Sequence, residues 1–157
     1  MKTITFETSG ANNETYELII PEGYQKKELP YFKEWTEALD SGSYLQTSGQ
    51  LCKKYSYVEG DETCYCCLGI LSKIQGRLTS HNTDGSDFDS TFYLSLDNPN
   101  YPFLRENGTF PEGITVISLK GKRIHNLAEL NDYDFSFSQI SRVIKEIWKE
   151  ESLDNEQ

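Results

Sequence analysis

The chain has 157 residues, a formal net charge of −10, and ten Tyr, eight Phe and two Trp. One domain fits that length, and it buries roughly 70% of its unfolded surface, so neither disulfides nor metals are needed to hold it. The aromatic content argues against disorder, and the acidity excludes a broad surface for nucleic acid or anionic membrane. No apolar run approaches the roughly 20 residues of a membrane span, and no signal peptide opens the chain, so a cytoplasmic place is expected.

Residues 2–7 alternate polar and apolar, and Tyr16-Glu17-Leu18-Ile19-Ile20 reads as the partner strand of a loose hairpin. Pro21-Glu22-Gly23 ends it. A helix is predicted from near Pro30, with Phe32, Trp35, Ala38 and Leu39 on one face and a stop at Asp40-Ser41-Gly42. The stretch from Tyr44 to Tyr57 is assigned no element. A second helix is predicted from about Cys66 to Gln75, on the shared face of Cys67, Leu68, Leu71 and Ile74. Residues 79–91 form the longest polar loop, and Phe92, Leu94 and Leu96 alternate as a strand before Asn98-Pro99. Ile114 to Leu119 is a further β-branched run.

The last element has the strongest signature. Ser136 and Gln139 stand in capping-box register, and Ile140, Val143, Ile144, Ile147 and Trp148 repeat as a buried helical face. An acidic, frayed tail follows at 151–157. The pattern as a whole predicts one α+β domain over residues 1–150, a small antiparallel sheet with about three helices.

Chemistry-bearing residues are sparse. Of Cys52, Cys64, Cys66 and Cys67, the pair Cys64 and Cys67 has C-x-x-C spacing, and Cys52 with His81 could complete a tetrahedral zinc site. With no second pair and an apolar helix following, buried structural thiols are expected and no metal or cofactor is assigned. His81-Asn82-Thr83 has the H-x-T form of two-histidine phosphoesterases, but His125 is followed by Asn126 and Leu127, so the second half is missing. The loop carrying Asp84, Asp87 and Asp89 fails as a calcium hand, because Ser80 and Thr91 occupy its two end positions. No nucleophile elbow, P-loop or dinucleotide fingerprint is present, so no motif supports an enzyme.

Binding chemistry is better supplied. Lys120, Lys122 and Arg123 bunch around Gly121 after a strand, and Arg105 lies beside Tyr101-Pro102-Phe103. Cationic forks and ring faces together suit a nucleotide, with guanidinium or ammonium groups on phosphate and aromatics on the base. Read without a ligand, the same residues make a basic turn on an acidic protein, with Tyr101 and Phe103 in the core.

Three segments carry a resemblance. They are Trp35-x-x-Ala38-Leu39-x-Ser41-Gly42-x-Tyr44-x-Gln46, then Tyr65-Cys66-Cys67-Leu68-Gly69-Ile70-Leu71, then Leu130-Asn131-Asp132 with Ser136-Phe137-x-x-Ile140. In that order they resemble a group of small uncharacterised proteins of tailed bacteriophages. The hairpin before residue 28 and the region 79–123 lie outside the resemblance, and Ser141 stands where that group usually has Ala. Trp35, Leu39, Leu68 and Ile140 read as core. Tyr44, Gln46, Asn131 and Asp132 are polar motif members on loops, where they either touch a ligand or satisfy turns and caps.

The resemblance implies a phage product acting in the cytoplasm of an infected bacterial host. The expectation drawn from it is a non-catalytic binding protein that counters host defence by sequestering a small anionic, nucleotide-derived immune signal, as a homo-oligomer. Lys120, Lys122, Arg123 and Arg105 would meet phosphates, while Tyr44 and Tyr101 would stack on bases. Two alternatives stand beside it. One is an acidic inhibitor or nucleic-acid mimic that binds a host defence protein through Asp84, Asp87, Asp89 and the acidic tail. The other is a phosphodiesterase using His81.

Overall fold

The computed structural model describes residues 1–9, 14–29, 31–46, 52–57, 60–74 and 108–150, with the backbone alone for 52–57, 60–63 and 72. The N-terminal hairpin forms as the alternation requires. β1 (Lys2–Glu7) and β2 (Thr15–Ile20) pair antiparallel, with Ile4 opposite Leu18 and Phe6 opposite Tyr16. Period-two alternation puts Ile4, Phe6, Tyr16, Leu18 and Ile20 on the buried face, while Thr3 and Thr5 face solvent.

Two later strands complete this sheet. β7 (Thr115–Ser118) pairs with β2, and β8 (Arg123–Ile124) pairs with β7, giving the antiparallel order β1-β2-β7-β8. Ile4, Leu18, Val116 and Ile124 stand opposite one another in a single apolar row across all four strands. A small antiparallel sheet with packed helices is the expected α+β architecture.

The helices cover the inner face. α1 (Phe32–Asp40) buries Trp35, Thr36 and Leu39, and its chain leaves through Ser41 and Gly42. Gly42 has φ 75, the left-handed geometry that ends helices and favours glycine. The helix starts at Phe32, two residues after the predicted start, because Tyr31 at φ 63 cannot continue a helix backwards; Pro30 lies outside the described residues. α2 (Cys67–Ile74) meets α1 through a buried hydrogen bond, Trp35 Nε1 donating to Cys67 O at 2.9 Å.

α3 (Leu127–Asp132) is a fourth helix beyond the three expected. It is held at its start by Asn126, whose side chain accepts the Glu129 N–H at 2.8 Å. α4 (Phe137–Ile147) carries the full capping box: Gln139 N–H to Ser136 Oγ at 3.2 Å, and Ser136 N–H to Gln139 Oε1 at 3.0 Å. Ile140, Val143, Ile144 and Ile147 are completely buried. Trp148 departs from the helical reading. It is buried, but it opens the strand β9 (Trp148–Glu150), which pairs in parallel with β3 (Lys27–Leu29). Strand pairing therefore overrides the apolar period one residue past the helix.

A second sheet, with no predicted counterpart, lies within residues 45–65. β4 (Leu45–Gln46), β5 (Cys52–Tyr57) and β6 (Gly60–Tyr65) take the order β4-β6-β5, with β4 parallel to β6. Ser141 bridges two helices. It is fully buried between α4 and α1, with Oγ donating to Asp40 Oδ2 at 3.1 Å, and Lys145 Nζ reaches the same oxygen at 2.8 Å. The predicted strand at Phe92, Leu94 and Leu96 and the tail 151–157 lie outside the described residues.

Candidate functional site

The basic cluster is the β7–β8 hairpin. Residues 119–122 connect the strands, and 119–121 form the loop closed by the Ser118–Lys122 pair, with Gly121 N–H donating to Ser118 O at 2.9 Å and Ser118 N–H to Lys122 O at 2.8 Å. Ser118 is buried, and its hydroxyl accepts the Lys122 N–H at 2.9 Å, so one side chain closes the loop from inside. Gly121 sits at φ 91, the left-handed position of a three-residue hairpin. The tight loop turns Lys120, Lys122 and Arg123 outward, and all three are exposed.

An aromatic lies under this turn. Lys122 Nζ is 3.8 Å from the centroid of the Tyr133 ring, a close cation–π contact. Tyr133 is half-buried, just past α3, where its backbone N–H donates to Glu129 O at 2.9 Å. Beside the turn, Glu14, Thr15, Leu119 and Lys120 line an open hollow of about 210 Å³. Leu119 is 70% exposed there.

Glu14 gives the hollow an acidic wall. It accepts the Tyr16 hydroxyl at 3.0 Å, and burial, then the hydrogen bond and charge of Glu14, push Tyr16 up to about 12. Lys120 on one side and a carboxylate on the other suit a ligand with an anionic group and a hydrogen-bond donor. A simple anion would use only half of that surface.

The polar motif residues form a different constellation. Gln46 Nε2 donates to Asn131 Oδ1 at 2.9 Å and to Phe135 O at 2.8 Å. The same Asn131 oxygen accepts the buried Cys67 N–H at 3.2 Å. Tyr44 meets the Tyr65 ring edge-on, with centroids 5.5 Å apart, and Lys73 Nζ lies 3.4 Å from the Tyr65 hydroxyl. Gln46, Asn131 and the start of α2 are thus knotted together, and the knot joins all three motif segments.

The expected site residues therefore fall into two groups. Lys120, Lys122 and Arg123 share the hairpin, whereas Gln46 and Asn131 meet at the motif knot, with Tyr44 on the neighbouring Tyr65. Asp132 is exposed at the end of α3, next in sequence to Tyr133. Arg105 and Tyr101 lie outside the described residues, as do His81, Asp84, Asp87 and Asp89. Glu14 and Tyr133 were missed because neither belongs to a motif. The one local signal was that Tyr133 directly follows Leu130-Asn131-Asp132.

Cys64, Cys66 and Cys67 are buried thiols. Cys66 precedes α2, and its sulfur accepts the Gly69 N–H at 3.4 Å. Burial pushes this thiol up to about 11 and Cys67 well above the usual range, against the opposing pull of the Leu68 amide. Among the described residues, no three His, Cys, Asp or Glu side chains are grouped to hold a metal ion. No helix of the described residues is long and apolar enough to cross a membrane.

Fold and site together define a small α+β domain with a basic hairpin beside an aromatic. Residues 31–148 match the model of a domain of unknown function, DUF8296, and the chain belongs to that family. Its match begins after the N-terminal hairpin, so β2, which carries β7 and the basic turn, is contributed from outside the matched region. No curated protein and no solved structure matches the chain.

Proposed function

We propose that the protein is a phage-encoded, non-catalytic binding protein that counters host defence by sequestering a small nucleotide-derived signal in the host cytoplasm. The observation that carries the binding reading is Lys122 above Tyr133 on a tight turn that also presents Lys120 and Arg123. The ammonium and guanidinium groups take the phosphates. Tyr133 supplies a ring face for the base once Lys122 swings onto phosphate, while Lys120 and Glu14 line the hollow beside the turn. The phage and defence context rests on the resemblance of the three motif segments.

The test incubates purified protein with cyclic oligonucleotide and ADP-ribose-type signals, removes free ligand, and releases what is bound by heating. Intact release of one signal, lost in Lys120→Glu/Lys122→Glu, supports sequestration at the hairpin. Retention of none overturns it. Release of a chemically altered ligand replaces it with the phosphodiesterase reading.

A further inference from the structure

We infer that β1 is a self-pairing edge, and that two copies of the chain join through it, antiparallel, about a two-fold axis at Ile4. The inference is independent of the ligand reading. Thr8 N–H donates to Glu14 O at 3.0 Å, and with the β1–β2 register this makes the even-numbered residues of β1 the bonded partners of β2. The N–H and C=O groups of Thr3, Thr5 and Glu7 therefore point along the outer edge, which no other described strand meets. Among the described residues, the Glu7 carbonyl alone of these groups has a partner, Gln139 Nε2 at 2.7 Å.

Open edges are normally blunted by proline, a bulge or a charge aimed into them. Thr3-Ile4-Thr5-Phe6 has no proline, bulge or charge, and among the described residues α4 meets the edge backbone only at the Glu7 carbonyl. Lys2, the cation at the start of the strand, is drawn back onto Glu146 Oε1 at 2.8 Å.

A second copy fits this edge because the two-fold is self-complementary. Thr3 stands opposite Thr5 of the partner subunit, and the reverse, so four backbone hydrogen bonds form between two pairs of β-branched residues. Inner-face residues stay on the inner face. Ile4 meets its own copy, and the row Ile4–Leu18–Val116–Ile124 continues across the interface.

The charges along α4 agree. Gln139 reaches Glu7 and Glu146 reaches Lys2, so α4 runs antiparallel to β1 beside the open edge. Arg142 lies between them, 60% exposed and 3.8 Å from its own Glu146. The two-fold turns each Arg142 toward Glu146 of the partner subunit, pairing opposite charges on both sides of the axis.

Sedimentation across a concentration series tests the pairing in the full chain. Wild type is expected to pass from monomer to dimer, with the Thr3 and Thr5 amides gaining protection from hydrogen exchange as it does. Thr5→Pro removes an edge amide that β2 does not use and should abolish the dimer, whereas Thr5→Val keeps the amide and should retain it. Arg142→Glu should weaken the dimer about tenfold, whereas Arg142→Lys, which keeps the charge, should retain it; this pair decides the matter if the proline variant fails to fold. A wild type that stays monomeric overturns the proposal, as does a dimer unaffected by Arg142→Glu. A complex that forms only with a strand from a different protein also overturns it.

Discussion

Asn131 and Gln46, 85 residues apart, share a hydrogen bond of 2.9 Å in which Gln46 Nε2 donates to Asn131 Oδ1. The same oxygen holds the first amide of α2, at Cys67, and Trp35 donates its indole N–H to the Cys67 carbonyl. One peptide unit region is thereby gripped from α1 and α3 at once, and burial makes each bond expensive to lose. Asn131→Leu leaves the Cys67 N–H without its acceptor in an apolar interior, so a loss of about 1–3 kcal/mol is expected. Gln46→Ala should lose less, because Gln46 is exposed and water can replace it at Asn131. Denaturation curves give both losses, while ligand retained per folded molecule should stay unchanged. Loss of retention at unchanged stability would instead place Asn131 in the binding site.

The hairpin separates a conformational role from an electrostatic one. Gly121 at φ 91 faces open space, so an alanine there meets no neighbour and is penalised by backbone geometry alone. Gly121→Ala should therefore destabilise by about 1–2 kcal/mol. Lys122→Met keeps an unbranched side chain over Tyr133 but removes the charge and with it the cation–π contact, so stability should fall by about 0.5–1 kcal/mol. Calorimetric affinity for a phosphate-bearing ligand should fall roughly 10-fold or more in that variant, with a flatter salt dependence.

Gln139 performs two tasks with one side chain, capping α4 through Oε1 and strapping the helix to β1 through Nε2 and Glu7 O. The two are separable. Ser136→Ala removes the acceptor for the Gln139 N–H and should lose about 1 kcal/mol. Gln139→Glu keeps a capping acceptor but turns a carboxylate toward the Glu7 carbonyl, so it should lose about 1 kcal/mol through the strap alone. Urea midpoints should fall in both variants with the slope unchanged.

What was legible in the sequence follows how local each determinant is. β1, β2 and α4 were readable because alternation, a 3.6-residue period and a capping box each lie within one segment. The Cys52–Tyr57 strand was not, since Cys-Lys-Lys-Tyr-Ser-Tyr has no clean alternation and owes its extension to pairing with β6. α3 is six residues long, under two turns, too short for a period to show. Trp148 continues the helical period yet lies in a strand, because Lys27, far away in sequence, pairs with it. The site behaved in the same way. The basic turn announced itself through Gly121 and its neighbours, while Glu14 and Tyr133 reach it only through the sheet and α3.

The buried thiols make the last prediction. Burial raises Cys66 from 9.0 to about 11, with Asp132 adding to the shift and the Gly69 and Leu68 amides opposing it. The folded protein therefore holds this proton more tightly than the unfolded chain does. That contribution to stability is complete below pH 9 and is lost as pH rises through about 11. Tyr16, raised from 10.0 to about 12, extends the same decline to higher pH. Stability from chemical denaturation should accordingly fall steadily above about pH 9, and Tyr16→Phe should flatten the upper part of the slope. At pH 8 the folded protein should keep Cys64, Cys66 and Cys67 from iodoacetamide, with labelling appearing only in denaturant. Peptide mass mapping reads each cysteine separately. Rapid labelling of Cys66 in folded protein would mean that the start of α2 opens to solvent, and the motif knot that holds Cys67 would then be far weaker than its hydrogen bonds indicate.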